Sequence, residues 1–396
     1  MSFDIALSGL NAIGTKLDSI SNNVANSSTE GYKRMDANFA SLMAGNRPNG
    51  VYVGSASQNI SGQGGLNSTG NKMHSSIMGQ GFYAMRAPDG TMQYTRVGRF
   101  EKAEDGYIID TFGRRVQGYG IDGALGDLKV QTGDIAAVAT DRYDFTMNMS
   151  AEWEAVDIED PGFDPVNDSH HSNSQTVYDA LGREHTLTQY FVKSSDKPHE
   201  VTVYYALDGD LIENAGENVT STLAFDDDGT LNTGSSNFAT LDIELVGTNN
   251  LNIKMDYAGS TMFGGLDPLA TTDRPNGNSA GTFVEVVLDK NGDLVASYSN
   301  GKRETVGTVA LATFGNANGL QQIDNTSWTQ TAGSGNPLFG RPGQGRGELQ
   351  VGFIEGSNVD ITTELVVLMG AQRDYQANSK VISTSNEMMR ALMQAV

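Results

Sequence analysis

Residues 359–396 read VDITTELVVLMGAQRDYQANSKVISTSNEMMRALMQAV, and a step of seven from Ile361 meets Leu368, Tyr375, Ile382, Met389 and Val396. All are apolar, so the repeat is that of a helix with one continuous seam. The companion seam four positions on, Leu365, Gln372, Ser379, Asn386 and Met393, is mixed. No Pro or Gly falls between Ala371 and Val396. Ser357 or Asn358 can cap the start, with Asp360 near the positive end of the helix dipole. The other terminus repeats the plan. Phe3, Leu10, Leu17 and Val24 stand seven apart, Leu7, Gly14 and Ser21 make the second seam, and Ile13 and Ile20 widen the stripe. Asn22, Asn23 and Asn26, then Ser27-Ser28-Thr29-Glu30-Gly31, end this helix. Helices over 4–25 and 359–396 would run about 33 and 57 Å. They can pair with each other, and a pair still leaves apolar surface for neighbouring copies to cover. The heptads alone leave open an ordinary two-helix cap on a monomeric core.

Between these ends the pattern is β. Asp89-Gly90, Asp105-Gly106, Asp122-Gly123, Asp208-Gly209, Asp228-Gly229, Asn291-Gly292 and Asn300-Gly301 punctuate short apolar or β-branched runs such as Val201–Tyr205 and Phe283–Leu288. Asp-Gly or Asn-Gly between such runs predicts hairpins. No long helical period falls between about 60 and 355, which argues against a parallel α/β enzyme fold. Polar, turn-rich stretches over 163–169 and 271–279 bracket a β-segment inserted in a larger β-unit.

Composition narrows the function. The chain has 396 residues, 48 Asp plus Glu against 26 Lys plus Arg, and no cysteine. A charge of −22 repels nucleic acid and anionic membranes. The lack of cysteine excludes disulfides, thiolate metal sites and thiol catalysis. The first residues carry no basic leader, and no apolar run is long enough to span a bilayer. Gly118–Gly123 fits G-x-G-x-x-G without a helix to follow, so turn glycines are the better reading. Asp289–Asp293 lacks the Gly and Glu positions of a calcium loop. Asp226–Gly229 reads as a solvated turn, and His170-His171 has no spaced partner ligand. No catalytic, metal or cofactor site is expected.

Several segments resemble bacterial flagellar rod and hook proteins: Ser8–Ala12, Asn22–Lys33, Glu355–Asp360, Glu364–Val366 and Ala371–Lys380 at the ends, and Gly79–Tyr83 and Tyr94–Phe100 inside. Thr176–Thr188, Tyr190–Lys193, Tyr298–Gly301 and Val309–Phe314 are similar to the hook branch of that axial family. One departure is Lys72–Ile77, more polar than the strand usual there.

The resemblance implies a multidomain, mainly β fold with paired coiled-coil terminal helices around nested, discontinuous β-domains. It divides the chain into a helical inner-tube domain (1–26 plus 359–396), an extended linker (27–70), an inner β-domain (71–145 plus 283–358) and an inserted outer β-domain (146–282). It implies a self-polymerising subunit of the flagellar hook, a curved universal joint between rod and filament, and no enzyme. Its interface would be Phe3, Leu7, Leu10, Leu17, Val24, Ile361, Leu365, Leu368, Tyr375, Ile382, Met389 and Val396, with Gln372, Ser379 and Asn386 fixing register. Its partners would be other copies of itself, distal rod, hook cap, junction and hook-length control proteins, and the flagellar type III apparatus that exports it unfolded. The ends would be disordered in the monomer and order on assembly. Polar outer loops, such as those around Asn276 and Asn278, would let neighbours slide. The alternatives are another axial component such as a distal rod protein, or a secreted β-rich adhesin or enzyme on a helical stalk.

Overall fold

The computed structural model describes residues 2–395 apart from 45–46, 132, 159–163, 196, 198, 215–216, 233–237, 246 and 266–267. The chain divides into two compact units: Met1–Thr132 with Glu285–Ser297 and Arg303–Val396, and Gly133–Val284 with Tyr298–Lys302.

The first unit begins with α1 (Ser2–Ala25) and ends with α2 (Ile361–Ala395). Asp360, rather than Ser357 or Asn358, caps α2 by accepting the Thr363 N–H at 2.7 Å, because the helix begins two residues later than expected, at Ile361. Next to α1 lies a hairpin, β1 (Met35–Ala44) with β2 (Arg47–Gln58), antiparallel and bulged near Asn38 and Ser41. The stretch expected as an extended linker therefore holds paired strands. Its weak alternation, with Pro48, Gly50 and Gly54 in the second strand, had hidden them. Beyond it come β3 (Leu66–Ser68), β4 (His74–Met78), β5 (Phe82–Arg86), β6 (Met92–Thr95), β7 (Gly98–Lys102), β8 (Ile108–Asp110) and β9 (Arg115–Gly120). In space the sheet runs Ser327–Thr329, β6, β5, β9, β8, β7, β4, Glu348–Val351. Strands from both halves of the chain thus interleave in one sheet. Phe82, Tyr94, Leu320 and Trp328 form a buried cluster on it.

The polar strand β4 is fully part of this sheet, with His74, Ser75 and Ser76 buried. It is tolerated because most of its polar atoms find partners. Ser75 Oγ shares a 2.8 Å hydrogen bond with Tyr83 Oη, and His74 Nδ1 lies 2.9 Å from Thr69 Oγ1. Burial, then the nearby Arg99 charge, pushes the His74 pKa down.

The second unit is a β-sandwich. Strand Arg142–Ser150 runs parallel to Leu251–Asp256 and Thr261–Phe263 and antiparallel to Ala270–Pro275. The facing sheet orders His171–Tyr178, Glu184–Lys193, Glu200–Leu207 and Thr220–Ala224. Alternation along the first strand aims Tyr143, Phe145, Met147 and Met149 at Leu187, Phe191, Val203 and Tyr205. A boundary at 146 would cut this strand, whose partners all belong to the insert, so the unit begins earlier, at Gly133. The turn-rich stretch over 271–279 likewise contains the end of strand Ala270–Pro275. Asn276 and Asn278 are not free loop positions. Asn276 Oδ1 accepts the Asp141 and Arg142 N–H groups, and Asn278 receives Lys302 Nζ at 3.0 Å. Both tie together chain runs inside this unit; Asn278 is buried, while Asn276 stays exposed.

The Asp-Gly pairs form the expected hairpin turns. Glycines 90, 106, 123, 229, 292 and 301 all take positive φ, and Asp89, Asp105, Asp122 and Asp228 each accept the N–H two residues on. Asp208 and Gly209, with φ of 54° and 98°, make the two-residue type I′ turn between adjoining strands.

Candidate assembly interface

The two terminal helices run antiparallel. Near one end Asn23 Nδ2 donates to Glu364 Oε1 at 3.4 Å. Further along, a Cβ placed on Gly9 would lie 3.0 Å from Asn378 Oδ1. The buried positions on these helices are mostly small or polar: Ala6, Ala12 and Asn23, with the larger Ile20, on α1, and Glu364 and Ala371 on α2. Small residues let helix backbones approach closely, which is why this row, rather than the bulky one, closes the pair.

The large apolar residues singled out from the heptads fall elsewhere. Phe3, Leu7, Ile361, Leu365, Tyr375 and Met389 are exposed, between 41% and 61%. Leu10, Leu17, Val24, Leu368 and Ile382 are half-buried, and Val396 lies outside the described residues. Gln372, Ser379 and Asn386 also face solvent. In the single chain, therefore, the six exposed members of these rows are left uncovered.

Below the helices the motif residues build a buried ionic cluster. Glu355, fully buried, accepts Lys33 Nζ at 2.6 Å and Gly64 N at 3.0 Å on one oxygen and Arg96 Nε at 3.0 Å on the other. Arg96 also donates to the Gly79 and Gly81 carbonyls, and Lys33 to the Gly62 carbonyl. Burial pulls the Lys33 ammonium below its usual pKa, against the upward pull of Glu355. Beside it, Asn358 accepts the Arg34 N–H at 2.7 Å and donates to the Asn59 and Gly62 carbonyls. Arg34 Nε meets Glu364 Oε1 at 2.7 Å, and Asn23 exchanges two 2.9 Å bonds with the Met35 backbone. Thus Lys33, Arg96 and Glu355, quoted above only as motif letters, weld both helix bases to the β-sheet. No periodicity could have found them; the signal was a basic residue inside a glycine- and asparagine-rich turn.

The chemical motifs weighed earlier have structural roles. A Cβ on Gly118 would sit 2.3 Å from the Thr308 carbonyl oxygen, so its glycine is needed for close strand packing. Asp289–Asp293 and Asp226–Thr230 are closed turns. His170 stacks on Trp153 with ring centroids 5.3 Å apart. Among the described residues no group of metal-ligating side chains occurs, and no helix is long and apolar enough to cross a membrane.

Two long terminal helices paired through small residues, with the rest of the chain folded into β-units between them, define an axial structural subunit. The family models agree. Residues 3–33 match the flagella basal body rod protein family, 76–162 the flagellar hook protein FlgE/F/G D1 domain, and 350–395 the flagellar basal body rod FlgEFG protein C-terminal family. The chain is 32% identical to the flagellar hook protein FlgE of Salmonella typhimurium and 30% to that of Escherichia coli K12, each over 99% of both chains. It is 31% identical to the Brucella suis protein, over 98% of this chain and 96% of that one. A crystal structure of the Helicobacter pylori flagellar hook protein FlgE2 shares the fold, with a TM-score of 0.56 at 14% identity over 73% of this chain and all of the other. The chain belongs to the flagellar hook protein family and is a structural subunit of the hook, not an enzyme.

Proposed function

We propose that copies of this chain polymerise through the exposed rows of α1 and α2 into the curved tube of the hook, a universal joint that carries motor torque from rod to filament. The observation that carries this is the division of labour on the helices. Small residues close the intramolecular pair, while Phe3, Leu7, Ile361, Leu365, Tyr375 and Met389 stay uncovered. Each such side chain gains roughly 1.5–3 kcal/mol when a neighbour buries it fully. The helices would line the tube and the β-units would lie outside.

In the same reading, the subunit leaves the cell unfolded through the flagellar type III apparatus, a route suited to a chain without cysteine. Its neighbours are the distal rod, the hook cap, the junction proteins and the hook-length control protein. Free monomers would lose their ends first in brief proteolysis. Electron microscopy of the purified chain driven to polymerise, beside a copy lacking residues 359–396, tests the proposal. Curved tubes from the full chain alone support it. Straight rods would favour a rod component, and tubes from the truncated copy would overturn the role of the helix.

A further inference from the structure

The antiparallel pairing that sets Asn23 against Glu364 and Gly9 against Asn378 brings the start of α1 level with Ser385. The end of α2, residues 386–395, therefore extends past α1 with no helix beside it. It carries Met388, Met389 and Met393, which are 59%, 61% and 76% exposed. Met389 and Met393 lie one turn apart on a common stripe, and Arg390 stands beside it. Within the same unit, an open groove of ≈ 670 Å³ lies between α1, α2 and the β1–β2 hairpin. Ile5, Gly9, Ala12, Ile13, Phe39 and Val51 line it, with Lys16 and Asp374 among its polar groups.

We infer that the overhanging end of α2 inserts its methionine stripe into this groove of a second copy of the chain. The inference rests on the polymerisation reading and names its contact. Length fits: the overhang spans about 15 Å and the run from Ile5 to Lys16 about 17 Å of helix. Chemistry fits too. Methionine is unbranched and fills irregular apolar grooves lined by small residues and an aromatic ring. The groove carries the anion Asp374 and the stripe's edge the cation Arg390; among the described residues neither is in an ion pair. Opposite charges across a contact set its register. Groove and overhang are different surfaces, so the contact is heterologous. Repeated from copy to copy, a contact of this kind builds an open filament wherever its rotation does not close into a ring.

The test is a charge exchange in the full chain. Asp374→Arg and Arg390→Asp alone each raise the critical concentration for polymerisation about threefold to tenfold, and the double variant returns it to near the wild-type value. Additive losses in the double variant would overturn the contact. A second measurement uses the absence of cysteine. Phe39→Cys with Met389→Cys, oxidised in the polymer, yields a ladder of covalent multimers, and either cysteine alone yields none beyond dimers. Unlinked chains from the double-cysteine polymer would refute the contact while leaving polymerisation intact. Wild-type chains that never polymerise would instead remove the reading on which the contact rests.

Discussion

Replacing Glu355 with Gln removes the anion that lies between two buried cations. Lys33 and Glu355 are 0% exposed and Arg96 is 3% exposed, so water cannot take over the lost charge. Both cations keep their carbonyl partners at Gly62, Gly79 and Gly81, but an amide offers a single neutral acceptor to two positive groups. Breaking a buried pair by removing one partner costs about 3–5 kcal/mol. With about 2–4 °C per kcal/mol for a unit of this size, the unit melts roughly 6–20 °C lower. The fully buried Trp328 lies in this unit, so fluorescence melting in a Trp153→Phe background reads this unit alone. Glu285→Ala is the control, since its partner Lys72 is 65% exposed, and an exposed pair contributes about 1 kcal/mol or less. If Glu355→Gln melts within about 2 °C of that control, the cluster does not hold the helix bases to the sheet.

Gly98→Ala in β7 places a Cβ 2.0 Å from the Ser75 carbonyl oxygen and 2.8 Å from the Tyr83 ring; urea melting loses about 3 kcal/mol or more, whereas Gly126→Ala, with open space around it, changes stability by less than about 1 kcal/mol. Asn23→Ala strips four hydrogen bonds from the junction of α1, Tyr32, Met35 and Glu364, costs about 1–3 kcal/mol, and exposes the 35–58 hairpin to faster proteolysis. Burial alone would raise the Asp179 carboxyl, but bonds from the Arg183 backbone and guanidinium and the Leu181 N–H hold it at about 2. Its pKa is thus lower folded than unfolded, so its stabilisation is complete above the unfolded value and fades as pH falls from about 4 towards 2; calorimetry across that window shows a shallower acid loss for Asp179→Asn.

The elements with a strong local signal were legible before any coordinates. Both helices and the Asp-Gly turns follow from seven-residue repeats and from glycine's freedom at positive φ. What the pattern could not supply was which seam mates within the chain. The bulky row carries the stronger hydrophobic signal, yet Ala6, Ala371 and Gly9 allow the closer approach and take the intramolecular contact. The hairpin over 35–58 was opaque because its second strand contains Pro48, Gly50 and Gly54, residues that read as breakers until α1 is seen beside them. The Lys33–Glu355–Arg96 cluster joins positions hundreds of residues apart, so no local window contains it. Asn278 looked like surface loop and is a buried tie, because an asparagine's role depends on which groups it meets rather than on its neighbours in sequence.

The central claim is that the exposed helix rows, not the β-units, drive assembly. The variant Ile361→Ser, Tyr375→Ser, Met389→Ser alters one row that is already solvent-exposed in the single chain, between 45% and 61%. Sedimentation of the purified variant beside the wild type, with β-unit melting checked by circular dichroism, tests the claim directly. The expected result is unchanged melting with the variant left in the supernatant at concentrations where the wild type pellets as tubes. Pelleting of the variant at the wild-type critical concentration would contradict the account.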